Sequence, residues 1–394
     1  MKKVFLIVFI ILYLISCSNE GTTSTVTTTT SATTVRDHSY LQNLIDNAKE
    51  GDIVFIPEGK YNLYETVFIN KNLTLKGEGV NKTLIVHYKK DYNEHGISIT
   101  GKEGSGFRIT DIYFKGDENA DTNNSNNIFI SGNCKNFRID HCKFEKGGAH
   151  SLMVDGDTYG VIDHCEFIND SQESISLRNG NGDDVWSKKE PVGTDKAIFI
   201  EDNLFLFETK GTHAVTGVNG ARFVFRYNSV KSSINGALVD AHGNFENDRS
   251  NYLSEIYNNS LENIHPTIWN AYAIYIRGGL AVISDNIIKG KFSYAINLTN
   301  YRSWNSSKRY PPGPCSPVVV DNKTYYPNVC TYNEAKQYDL VQNVYSWNNL
   351  LNDKIELIKI INRGFDKDHI QKDRDYFEPG DSNFNDYDKI YKKF

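Results

Sequence analysis

The chain has 394 residues, with 43 Lys and Arg against 49 Asp and Glu, and its net charge of −6 leaves no basic footprint for nucleic acid. A mildly acidic total does not exclude an acidic polysaccharide, because local basic clusters decide that. At 39% hydrophobic and 12% aromatic the composition is ample for a core, and the length allows two or three domains unless a repeat joins them into one.

Residues 1–17 read as a targeting segment. Lys2 and Lys3 precede an apolar run over 4–15, which ends in Leu14-Ile15-Ser16-Cys17. That ending resembles a bacterial lipobox. The resemblance implies that Cys17 is lipidated and that the chain meets the membrane only through this anchor, in the bacterial cell envelope. A transmembrane anchor is the alternative, for which the run is short. Residues 18–36 are mostly Thr, Ser, Gly and Ala, too polar to order themselves, and read as a flexible tether.

The stretch 39–49 (SYLQNLIDNAK) has helical spacing of Leu41, Leu44, Ile45 and Ala48, with Ser39 at its start as N-cap. Such a helix covers strand edges at the end of a sheet. From Asp52 onward a two-beat unit recurs. NIFISG is followed by a turn and FRIDHCKF, and SLMVDG is followed by a turn and VIDHCEF. Further first beats are ISITG, ISLRNG, AVTG, ALVDAHG, IYIRG and INLTN. The alternation within each beat is that of a strand, and the fixed unit is that of a solenoid whose coils share one core. After each polar pair stands Ile112, Cys142, Cys165, Asn203, Asn228, Asn259 or Asn286, a position suited to inward amides that bond coil to coil.

The strand–turn–strand–Asn–strand pattern over about residues 52–299 resembles the pectate-lyase superfamily. The resemblance implies an all-β, right-handed parallel β-helix spanning 37–300, and a substrate that is a polysaccharide. Beyond Tyr301 the pattern stops, and 301–394 reads as a C-terminal cap on a monomer. Cys315 and Cys330 share a Pro-rich loop and are expected to form a disulfide after export. Cys142 and Cys165 are expected to stack as free thiols, and Cys134 has no evident partner. No Cys or His spacing argues for zinc.

Counted back from the glycine that closes each first beat, the outward residues form one column: Thr100, Ser131, Asp155, Arg178, Thr216, Asp240, Arg277 and Thr299. Its centre is ionic, which cross-coil ion pairs explain as readily as a site does. Two long turns, 179–196 and 242–252, stand at the end of this column. They supply Asp183, Asp184, Trp186, Lys188, Lys189 and Arg249. Together with Asp155, the residues Trp186, Lys188, Lys189 and Arg249 are candidates for binding substrate, and Trp186 either stacks on a sugar or packs down. Arg178 and Arg277 suit a uronate carboxylate. His213 and His242, with Asp240, are candidate acids or bases. Asp183 and Asp184 are candidate Ca2+ ligands. The expected activity is cleavage of a uronate polymer by β-elimination. The alternatives are a non-catalytic glycan- or surface-binding β-helix, and a hydrolase using two carboxylates. Asp140–His141 and Asp163–His164 fall in the short ladder turn and read as structural.

Overall fold

Each two-beat unit forms one turn of a parallel β-helix. The computed structural model describes residues 35–88, 94–102, 106–117, 125–170, 172–180, 182–187, 191–209, 211–243, 249–300, 318–320, 323–325, 340–360 and 370–384. Among these, three parallel sheets of 10, 11 and 12 strands run side by side along the helix. One coil passes through Asn126–Gly132 in the first sheet, Phe137–Asp140 in the second and Lys143–Glu145 in the third. The next coil repeats this with His150–Gly156, Gly160–Asp163 and Glu166–Ile168. Register aligns like with like: Ile128 on Leu152, Ile139 on Ile162, Phe144 on Phe167.

Inward residues therefore stack into columns. Phe114, Phe144, Phe167 and Phe205 lie face to face, with ring centroids 5.2, 5.0 and 4.8 Å apart. All four are buried, as are the aliphatic columns beside them. A single strand this short buries little, and only the stack removes enough apolar surface from water.

The corner between the second and third sheets holds the expected amide ladder. The backbone N–H groups of Asn203, Asn228, Asn259 and Asn286 each donate to the Oδ1 of the asparagine one coil on, at 3.0–3.2 Å. Each Nδ2 donates to a carbonyl of the preceding coil, such as Ile162 and Ile200 at 2.8 Å. Cys165 continues the row, its N–H donating to Asn203 Oδ1 at 2.9 Å, and Cys134, Cys142 and Cys165 are buried free thiols. The residue before each ladder position turns left-handed, as at His141 (φ 51°), His164 (φ 52°) and Asn258 (φ 57°).

Glycine closes the early first-sheet strands for a steric reason. A Cβ on Gly156 would lie 2.0 Å from the Gly132 carbonyl oxygen, and one on Gly132 would lie 2.3 Å from that of Gly101.

Two boundaries differ from the sequence reading. The N-terminal helix is His38–Asn47, and Asp37 rather than Ser39 caps it, accepting from Tyr40 N–H at 3.2 Å. The solenoid also continues past residue 300. Val341–Trp347, Leu350–Leu351 and Lys359–Ile360 join the second, third and first sheets, and Asn349 extends the ladder. The described residues from 340 onward thus add a further coil, hidden in sequence because the unit is interrupted rather than ended. Cys17, Cys315 and Cys330 lie outside the described residues. Among the described residues no helix is long and apolar enough to cross a membrane.

Candidate active site

The outer face of the first sheet carries polar residues that do not repeat. Register places Ser131 beside Asp155, Asp155 beside Arg178, and Arg178 beside Val218. Thr216 pairs instead with Ser176 and Asp240, and Asp240 with Tyr275. The single expected column is therefore two rows. Gly217 lies inside its strand, His213–Val218, and Gly243 lies beyond the end of Ala237–Ala241, so neither marks a strand end. The slip is two residues, which keeps the face and changes the row.

At the start of these strands a third row runs Asn126, His150, Glu173, His213. His150 Nε2 meets Glu173 Oε2 at 2.6 Å, and its Nδ1 lies 2.8 Å from Asn126 Oδ1. Both partners accept, so His150 bonds fully when both ring nitrogens carry protons. Asn126 Nδ2 continues the chain to His95 Nδ1 at 3.1 Å, and His95 packs on Phe129 with centroids 4.6 Å apart. On the other side, His213 donates Nδ1–H to the Ala237 carbonyl, so the lone pair of the neutral ring is at Nε2. That nitrogen faces Asp240 Oδ2 at 3.9 Å. Arg277 grips Asp240 with two hydrogen bonds, its Nε donating at 2.9 Å and its Nη2 closing the fork. Asp240 is fully buried, while the His150, Glu173 and His213 side chains keep 12–20% of their surface open.

The charges are mutually tuned. Burial pushes Glu173 up, but its hydrogen bond with His150 and the charges of His150 and His213 outweigh this and hold it low, Asp240 opposing. Burial likewise pushes Asp240 up, and Arg277, His213 and His242 overcome it. His95 is driven down to about 4 by burial, with the neighbouring charge of His150 adding to the shift. Two carboxylates are thus kept ionised, each in contact with a histidine.

His213, Asp240 and Arg277 of the sequence set come together here, and His242 is near enough to act on Asp240. His242 itself donates Nδ1–H to the Gly243 carbonyl. Arg277 is committed to Asp240 rather than open to a substrate carboxylate. Arg178 stands five residues beyond Glu173 on the same strand, about 17 Å along it at strand rise. Asp155 and Asp184 line a separate groove of about 700 Å³ at the ends of the strands, together with Lys135, Asp157, Lys196 and Arg222. Trp186 is not offered to solvent. It is 1% exposed, donates Nε1–H to the Ser250 carbonyl at 3.1 Å and meets Tyr252 edge-on. Arg249, also buried, covers its ring at 5.2 Å. Lys188, Lys189 and the Asp183 side chain lie outside the described residues.

Sequence reasoning missed His150 and Glu173. They stand two residues before the inward Leu152 and Ile175, as His213 stands before Val215. That is the parity of the core face, so strict alternation hides them; at His213 the alternation breaks, with Ala214 and Val215 both in the core.

A family model described as rhamnogalacturonase A/epimerase, pectate lyase-like, matches residues 31–241. The chain belongs to this family. Several solved structures are similar to this pectate lyase-like chain at low identity. An alginate lyase from Paenibacillus sp. str. FPU-7 is 12% identical with a TM-score of 0.40, over 82% of this chain and 97% of that one. A mannuronic acid specific polysaccharide family 6 lyase from human gut microbiota is 15% identical with a TM-score of 0.47, over 84% and 77%. The Streptococcus pneumoniae surface protein and adhesin PfbA is 13% identical with a TM-score of 0.41, over 87% and 92%. No curated protein matches the sequence. Among the described residues no three His, Cys, Asp or Glu side chains converge on a position for a metal, so the described carboxylates do not fit a Ca2+ cage.

Proposed function

We propose that this protein is a lipid-anchored cell-surface enzyme that cleaves a uronate-containing extracellular polysaccharide by β-elimination. The observation that carries the reading is the cluster in which the row His150–Glu173–His213 meets Asp240 of the neighbouring row. Elimination removes a proton from the carbon beside the uronate carboxylate and delivers one to the leaving oxygen. Two histidine–carboxylate pairs suit those two tasks. His213, with Nε2 as its free lone pair, is assigned as the base, and Asp240 with Arg277 orients it and stabilises the charge it gains. His150, held by Glu173 and Asn126, is assigned as the proton donor, releasing its Nε2–H from Glu173 to the leaving oxygen. The two histidines sit two strand spacings apart, about 10 Å, leaving room for the scissile linkage above Glu173.

A hydrolase fits less well. It needs one carboxyl raised so that it stays protonated as the acid, whereas Glu173 and Asp240 are both held low. The N-terminal lipobox-like segment and its polar tether support the surface location.

The test is incubation with pectate, alginate and glycosaminoglycans, with and without Ca2+, following the ultraviolet absorbance of unsaturated uronates. Product formation that vanishes in His213→Ala supports the reading. Silence on every polymer overturns it, and binding without turnover favours a glycan-binding β-helix.

A further inference from the structure

The row at the start of the first-sheet strands extends beyond His150, through Asn126 to His95. His95 stands two coils before His150, and the Asn126 side chain lies between them. Three partners surround that amide. Its Nδ2 lies 3.1 Å from His95 Nδ1 and 3.6 Å from Met153 Sδ, and its Oδ1 lies 2.8 Å from His150 Nδ1.

We propose that His95 is a positioning residue for the proton donor: it fixes the Asn126 amide, and the amide in turn holds His150 as an imidazolium. The direction of the amide is set by its neighbours. A thioether sulfur has no proton to give, so the amide NH2 belongs on the side of Met153. His95 lies on that side too, and its Nδ1 lone pair accepts the other N–H. Burial, with the charge of His150 adding to it, drives His95 down to about 4, so the lone pair is present near neutral pH. Phe129 packs on the same ring. The amide oxygen is left to face His150 Nδ1, which therefore donates. His150 Nε2 meets the Glu173 carboxylate at 2.6 Å and donates as well. Both ring nitrogens carry protons, and Glu173 balances the charge.

Turned over, the amide would set its oxygen against the Met153 sulfur, demand a proton on His95 Nδ1 and present N–H groups to His150. His150 would then give up its Nδ1 proton and become neutral. His95 thus decides how many protons the donor holds. The other titratable groups around His150 are Asp170, at the corner before Glu173, and His213, beyond Glu173. The catalytic half of the proposal rests on the β-elimination reading, whereas the protonation state does not.

The experiment is two-bond 1H–15N spectroscopy of the 15N-histidine-labelled chain at neutral pH, with His150 assigned by its loss in His150→Gln. The expected spectrum shows His150 protonated on both nitrogens. His95→Phe keeps a ring against Phe129 but removes the lone pair. It should lower the charged-to-neutral ratio of His150 about tenfold, the scale of one hydrogen bond to a charged group. Adding Asn126→Asp should restore the ratio, because a carboxylate accepts whichever way it turns. A neutral His150 in the parent overturns the proposal. So does a fall of less than about threefold in His95→Phe, or a fall that Asn126→Asp does not reverse, which would mark His95 as packing alone. On any polymer the parent cleaves, His95→Phe should also move the alkaline limb of the rate profile to lower pH, since a neutral imidazole is too weak an acid to serve as donor. An unmoved limb overturns the catalytic half. A parent that cleaves nothing ends the elimination reading, and the spectra still decide the role of His95.

Discussion

Histidine meets a carboxylate in two regions of this β-helix, and the two are built on opposite plans. At the corner after the second sheet, Asp140–His141 and Asp163–His164 repeat from one coil to the next, and an arginine saturates each aspartate. On the outer face of the first sheet, His150, Glu173 and His213 succeed one another in register, each a different link in one chain. A group that serves stacking is wanted in every coil, because every coil has the same backbone to satisfy. A group that serves chemistry is wanted once. Departure from the repeat therefore locates the site on a solenoid better than polarity does.

The sharpest way to break this comparison is to disable the first-sheet row from either end. His213→Ala should lower turnover about 10²–10⁴-fold, the range for losing a general base. Glu173→Gln should come close to it by freeing His150. Polysaccharide cleavage that survives both changes would reduce the first-sheet row to a structural one.

The arginines give the next largest contrast, read in stability. Arg277→Ala leaves Asp240 charged and fully buried with no fork to hold it, a loss of about 3–5 kcal/mol in chemical denaturation. Arg138→Ala also strands a buried aspartate, but this arginine is nearly half in water and His164 stays on the Asp163 carboxylate, so a smaller loss of about 1–3 kcal/mol is expected. Equal losses would mean that burial does not distinguish the two faces.

Much of this is legible in the sequence. Alternation within each beat fixes strands, the unit length fixes stacking, and the Asn203–Asn286 spacing marks the ladder because each amide repeats the same duty. Rows across the first sheet were not legible to the residue. Face is set by parity, which survives a slip of two, whereas the row depends on where each strand ends, and Gly217 and Gly243 mislead there. Trp186 was open for a related reason: whether a loop aromatic packs or projects is decided by partners such as Ser250 and Tyr252, distant in sequence. The final coil escaped notice because the residues before Leu340 interrupt the period.

The ladder itself should be costly to breach. Asn228→Ala leaves the Asn203 N–H and the Ile200 carbonyl unpaired inside the helix. At about 1–3 kcal/mol for each of the two orphaned buried groups, the expected loss is about 2–6 kcal/mol by urea denaturation. A loss below 1 kcal/mol would mean that the coils hold together without the amides.

Acid should separate the regions more gently. Asp140 is held at about 2: burial pushes it up, and the hydrogen bonds from Arg108 and His141 with the charges of Arg108 and Arg138 more than reverse this. A depressed carboxylate contributes stability that is complete above its unfolded value near 4 and is lost as pH falls from about 4 to about 2, at most about 2 kcal/mol. Buried Asp170, pushed up chiefly by burial, works the other way and gains as pH falls. Comparing Asp140→Asn with the parent isolates the first term, and the variant should show a shallower loss over that window. Parallel curves would exclude Asp140 as a contributor.

The smallest expected effect tests the comparison from its quiet side. His164 sits at φ 52°, a conformation asparagine accepts readily and one that Asn258 already adopts at the same corner. His164→Asn should therefore keep the backbone turn, lose a half-exposed ring stacked on His141 and one hydrogen bond to Asp163, which Arg138 still holds, and change stability by no more than about 1 kcal/mol. Turnover on any polymer the parent cleaves should be unchanged, because this corner and the first-sheet row lie on different sheets of the helix. A substantial fall in turnover at constant stability would tie the two histidine regions together and end the separation between repeating scaffold and singular site.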